Sequence, residues 1–117
     1  HSFGHAIESI TNYKIPHGIA VSYGMDISNF ISVKFGLIDK KIRSEIREVL
    51  EKIWEGYTIK EIDIDIFIET ISKDKKNIGK KLGLILNAGY GKIFKKLVDN
   101  DLNFRSWIKD YFNNELN

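Results

Sequence analysis

The chain contains no cysteine, so disulfides and thiolate-type zinc sites are closed to it. It has one proline, Pro16, so a helical chain meets only one obligatory break of that kind. No apolar run reaches the ~18 residues needed to span a bilayer, and no secretory leader pattern opens the chain; the expected location is the cytoplasm, with no membrane partner. Charge of one sign is also scarce. Eighteen Lys and Arg against sixteen Asp and Glu leave a net charge of +2, which carries no electrostatic footprint of a nucleic-acid binder. What is present is an ordinary globular balance, 43% hydrophobic and 29% charged over 117 residues. That excludes a disordered chain and leaves room for one domain with a real core.

The hydrophobic spacing is mostly helical. Phe3, Ala6, Ile7 and Ile10 predict a helix over 1–12, and Asn12 to Pro16 breaks it. A second helix is expected from near Gly18 to about Lys34. Its apolar positions Ala20, Val21, Met25, Ile27 and Ile31 surround most of its girth, which predicts burial. Gly24 inside it costs helix stability and predicts the close approach of another backbone, and Gly36 ends it. Asp39 caps a third helix carrying Ile42, Ile46, Val49, Leu50, Ile53 and Trp54 on one stripe, closed by Gly56. Residues 62–68 alternate like a strand, yet Asp63 or Asp65 can cap a short helix over 64–73, which is the expectation here. After a basic polar loop, two β-prone runs around the turn Asn87 to Gly91 predict a small hairpin near residues 82–98. A last helix over 100–115 puts Leu102, Trp107, Ile108, Tyr111 and Phe112 on one face. The fold class is therefore mainly α, as a single helical domain spanning 1–117.

All three histidines lie in the first 17 residues. His1 and His5 are four apart and share a helix face, and a helix-turn-helix can bring His17 back beside them. Three converging imidazoles suit a divalent metal such as zinc. The glutamate of a His-Glu-x-x-His metalloprotease is missing, since Ser2, Phe3 and Gly4 separate the pair. A bland arrangement fits the same residues: His5 a satisfied core histidine, His17 a polar group at a helix start, His1 a terminal accident.

Longer motifs favour function. His1-Ser2-Phe3-Gly4-His5-Ala6-Ile7-Glu8 resembles the GHTFGHAIE motif of the 3-dehydroquinate synthase family. His17-Gly18-Ile19-Ala20-Val21, followed by Gly24-Met25, resembles its HGEAV…GM segment. Asp74-Lys75-Lys76-Asn77 resembles its DKKN motif, and Leu84-Ile85-Leu86 with Gly91-Lys92 its LVL…IGK stretch. Order and spacing match across nearly the whole chain, so it is similar to the helical C-terminal domain of a sugar phosphate cyclase.

The resemblance implies a fragment of a longer protein whose N-terminal NAD-binding domain lies outside the chain. It implies a seven-carbon phosphorylated keto acid as substrate, transient oxidation by NAD, phosphate elimination, re-reduction and an aldol closure to 3-dehydroquinate. It implies His1 and His17 as ligands to zinc or another divalent metal, with a third ligand on the other domain. His5 becomes the catalytic histidine that moves protons, and Lys75 or Lys76 the group that meets the substrate's anions. The alternative for those lysines is a solvated loop. A homodimer is one arrangement open to such a protein. One departure stands out: the family carries Glu after His-Gly where this chain has Ile19, so another sugar phosphate is an alternative substrate. Iron- or zinc-dependent alcohol and glycerol dehydrogenases share a HxxxH…HG pattern but not the DKKN segment, and form a second alternative. A third is a non-catalytic helical domain with idle metal residues.

Overall fold

The computed structural model describes residues 2–59, 62–73, 81–89 and 91–116. Among these, five α-helices and one antiparallel hairpin follow in the order α1 (Ser2–Ile10), α2 (His17–Lys34), α3 (Lys40–Trp54), α4 (Ile64–Ser72), β1 (Lys81–Asn87), β2 (Ile93–Asp99) and α5 (Leu102–Asp110), and a π-helical turn over Tyr111–Glu115 closes them. The mainly helical expectation with a small hairpin holds.

Caps account for the helix starts. Asp39, Asp63 and Asp101 each sit just before a helix and accept a hydrogen bond from the backbone N–H three residues on, at 2.9, 3.1 and 3.0 Å. Asp63 thereby resolves the strand-or-helix ambiguity of residues 62–68 in favour of α4. The hairpin pairs Lys81 with Asp99 and Asn87 with Ile93, one residue wider at its open end than the sequence pattern suggests.

α2 is the central element, with α1, α3 and β1 packed around it. Ala20, Tyr23, Ile27, Phe30 and Ile31 of α2 are buried, as expected for a helix apolar around most of its girth. Val21 and Met25 are the exceptions: Val21 is half-buried, Met25 is 50% exposed, and both line a cavity. On α3 the stripe narrows to Leu50 and Trp54, while Val49 and Ile53 are exposed. On α5, Phe104 and Ile108 are buried and Leu102 is exposed, because Leu102 is the first helical residue and precedes the turn that meets the core.

α1 and α2 touch backbone to backbone, as Gly24 predicts. A Cβ at Gly24 would lie 2.8 Å from the Gly4 nitrogen and 3.3 Å from the Gly4 Cα, and a Cβ at Gly4 would lie 3.2 Å from the Val21 Cα. Gly24→Ala is therefore expected to destabilise the fold by about 2 kcal/mol, because overpacking against main chain exceeds the ~1 kcal/mol that alanine gains in helix propensity. Gly18, also in α2, has nothing within 4 Å of its would-be Cβ, so Gly18→Ala is the control and leaves stability equal or higher. Denaturant midpoints of the two variants check the opposite signs.

A buried ionic cluster ties α2 to α3 and the C-terminal turn. Asp26 is fully buried and accepts a fork from Arg43, Nε at 3.2 Å and Nη2 at 3.0 Å, and the Tyr111 hydroxyl at 2.8 Å. Arg47 Nη1 stands 3.5 Å from the same carboxylate. Arg43 also donates to the Glu115 carboxylate, and Arg47 to the Glu115 carbonyl. Burial works against the Arg43 charge, but its bonds and attraction to Asp26 and then Glu115 outweigh it and raise the Arg43 pKa.

Burial first, and the Asp26 charge second, push the Tyr111 hydroxyl well above its ordinary pKa of 10.0. Above that value the unfolded tyrosine has released its proton and the folded one has not. The contribution of Tyr111 is thus fully present below pH 10.0 and is lost as pH rises, by about 1.4 kcal/mol per unit. Tyr111→Phe is expected to flatten that alkaline slope, read from unfolding free energies across the alkaline range.

Candidate functional site

The site grows from the α1–α2 crossing. After α1, Asn12 and Tyr13 both adopt left-handed backbone, at φ 53° and 60°, and the Tyr13 N–H donates to the Glu8 carbonyl at 2.8 Å. This reverses the chain within a few residues. Pro16 then sets the entry to α2, and His17 is its first residue. Because the two glycines let the helices meet at main-chain distance, His17 returns beside the α1 residues five to eight positions into the chain.

The His5 and His17 rings lie with centroids 6.2 Å apart and planes inclined by 30°. His5 is exposed, so the arrangement in which it is a core histidine is set aside. His17 Nδ1 stands 2.6 Å from Glu8 Oε1. A carboxylate only accepts, so Nδ1 is the edge that donates. The His17 side chain is 64% exposed and that of Glu8 only 13%. The imidazole is anchored on its inner edge and open on its outer one.

That donor chemistry fits a divalent metal: an imidazole oriented through one nitrogen by a carboxylate, with the other nitrogen on its exposed edge. Among the described residues no three His, Asp or Glu side chains gather closely enough to cage an ion. His1, the other expected ligand, lies outside the described residues, as do Lys75 and Lys76. Of the expected site residues, the structure thus brings together His5 and His17. It adds Glu8, the last residue of the first motif, for which spacing alone gives no role.

Along the same face of α2, a cavity of about 430 Å³ opens between this helix and β1. Phe3, Val21, Met25, Leu84 and Leu86 supply apolar walls, and Ser28, Asn29 and Asn87 polar ones. Asn87 is locked there: its N–H donates to Ser32 Oγ at 2.9 Å, and its side-chain amide donates to Asn29 Oδ1 at 3.3 Å. Gly4 and Gly24, the residues of the close helix crossing, both line the cavity. No helix among the described residues is long and apolar enough to cross a membrane.

This helical domain has a counterpart among solved structures. The chain superposes on 2-deoxy-scyllo-inosose synthase, in a crystal structure complexed with carbaglucose-6-phosphate, NAD+ and Co2+, with a TM-score of 0.75 and 27% identity. The match covers 96% of this chain and 32% of that one. Residues 1–77 match the family described as 3-dehydroquinate synthase C-terminal, and the chain belongs to that family. It is 37% identical over 97 residues to a 3-dehydroquinate synthase of Campylobacter jejuni, covering 82% of this chain and 28% of that protein. It is 38% identical over 92 residues to one of Helicobacter pylori, covering 78% and 27%. The chain thus spans little more than a quarter of the length of these relatives.

Proposed function

We propose that the chain is the helical half of a 3-dehydroquinate synthase-like enzyme, a phosphate-eliminating cyclase acting on a seven-carbon phosphorylated keto acid. The observation that carries this reading is the meeting of His5 and His17 at the α1–α2 crossing, inside the segment that matches the family. The nucleotide domain is assigned to sequence outside residues 1–117, in keeping with the quarter-length match to the relatives.

His1 and His17 would hold the divalent ion together with a group from the other domain. When bound, the ion polarises the hydroxyl undergoing oxidation, and NAD+ supplies reversible hydride transfer. His5, exposed beside His17, is assigned the proton transfers of oxidation and elimination. Lys75 and Lys76 are assigned to the substrate's phosphate and carboxylate, which lysine meets as a point charge.

A second reading has a specific observation behind it. The 2-deoxy-scyllo-inosose synthase structure is complexed with carbaglucose-6-phosphate, and this chain has Ile19 where the resemblance leads to glutamate. A hexose phosphate is therefore the competing substrate. The test uses the full-length protein with NAD+ and, separately, the seven-carbon acid, glucose 6-phosphate and glycerol. Phosphate release and NADH absorbance are followed together. Phosphate from the seven-carbon acid alone, with no net NADH, is the expected result. Phosphate from the hexose instead would install the second reading. NADH from glycerol without phosphate would overturn both and point to a polyol dehydrogenase.

A further inference from the structure

The geometry points to Glu8 as the positioning residue of His17: it holds the imidazole in the Nδ1–H form and presents Nε2 outward as the free donor nitrogen. The inference rests on the metal-binding reading above and gives one residue of that site its orientation.

Three observations converge on it. The Nδ1 to Oε1 distance of 2.6 Å is that of a short, charge-assisted hydrogen bond. The carboxylate side chain is 13% exposed, while the imidazole it holds is 64% exposed. A pair between two mobile surface groups would have both ends in water and contribute little; here one end is fixed on α1 at the glycine crossing. Finally, residue 19, where the family carries glutamate, is an isoleucine that packs against the core cluster. The carboxylate partner of His17 comes from nine residues upstream, on the preceding helix.

The experiment has two readouts. Long-range proton–nitrogen correlation spectra of the metal-free 117-residue chain, at mildly alkaline pH, report the tautomer of each of its three histidines. Zinc affinity of the full-length protein is measured by competition with a chromophoric chelator. The variants are Glu8→Ala and Glu8→Gln. In the unsubstituted chain His17 is expected to be protonated on Nδ1. Glu8→Ala shifts it toward Nε2–H and weakens zinc binding by about 10- to 100-fold. Glu8→Gln retains part of both, because the amide oxygen still accepts from Nδ1–H. An Nε2–H tautomer in the unsubstituted chain, or unchanged zinc affinity in Glu8→Ala, overturns the inference. Failure of the unsubstituted full-length protein to bind zinc would overturn the metal reading instead, while the spectra still test the Glu8–His17 bond. Should Glu8→Ala fail to fold, Glu8→Gln and the unsubstituted spectrum carry the test.

Discussion

Asp26→Ala is expected to cost the fold about 3 kcal/mol, at the lower end of the 3–5 kcal/mol that follows from breaking a buried ion pair. Asp26 is fully buried and satisfies three partners on two other elements. Removing it leaves the Tyr111 hydroxyl buried without that acceptor, Arg43 short of a forked counter-charge, and Arg47 with Glu51 at 2.8 Å as its remaining carboxylate. Arg43 and Arg47 keep 12% and 19% exposure and their bonds to Glu115, which softens the loss. Asp26→Asn retains an acceptor for Tyr111 but no charge, so its cost falls between zero and that of alanine. Unfolding free energies from denaturant titration rank the three proteins. Equal stability of Asp26→Ala and the unsubstituted chain would remove the cluster from the list of what holds α2, α3 and the C-terminal turn together.

His17→Ala is expected to lower kcat/KM of the full-length protein by roughly 10³-fold or more, beyond the 10- to 100-fold typical of losing an outer partner of a metal ligand. That is about 4 kcal/mol of transition-state stabilisation. The loss should come with weakened zinc binding. His5→Ala separates the two roles: it is expected to lower kcat by about 10²- to 10⁴-fold, the range of general acid–base catalysis, with zinc still bound. The rings are neighbours at 6.2 Å, so a purely structural disturbance would move both properties in both variants. A split, metal lost in one and chemistry lost in the other, is the signature of the assigned roles.

Much of the scaffold was legible because local rules and tertiary packing agree in it. α3 announces itself through its cap at Asp39 and its stripe, and α4 through Asp63. The helical Gly24 foretold a backbone contact, which turned out to be with Gly4. Other features run against local pattern. Asp26 is an acid on a buried helix, and its partners lie 17 and 85 residues away, where no periodicity can reveal them. Met25 reads as core by composition but faces a cavity. Leu102 fits the apolar spacing of α5 yet precedes its contact with the core.

The site divides the same way. Histidine spacing alone suggested a metal, and the turn at Asn12 and Tyr13 does bring His17 back beside His5. The role of Glu8 required knowing how closely the two helices cross, since a nine-residue separation across a break has no helical period. Substrate and nucleotide were never legible in charge or hydropathy; they rest on the four linked motifs and on the family match over residues 1–77.

The most direct test of this account is phosphate release from the seven-carbon phosphorylated keto acid by the full-length protein with NAD+, before chelation, after exhaustive chelation and after zinc is restored. The account predicts release that chelation abolishes and zinc restores, with no NADH accumulating. Release that persists undiminished through chelation would contradict it.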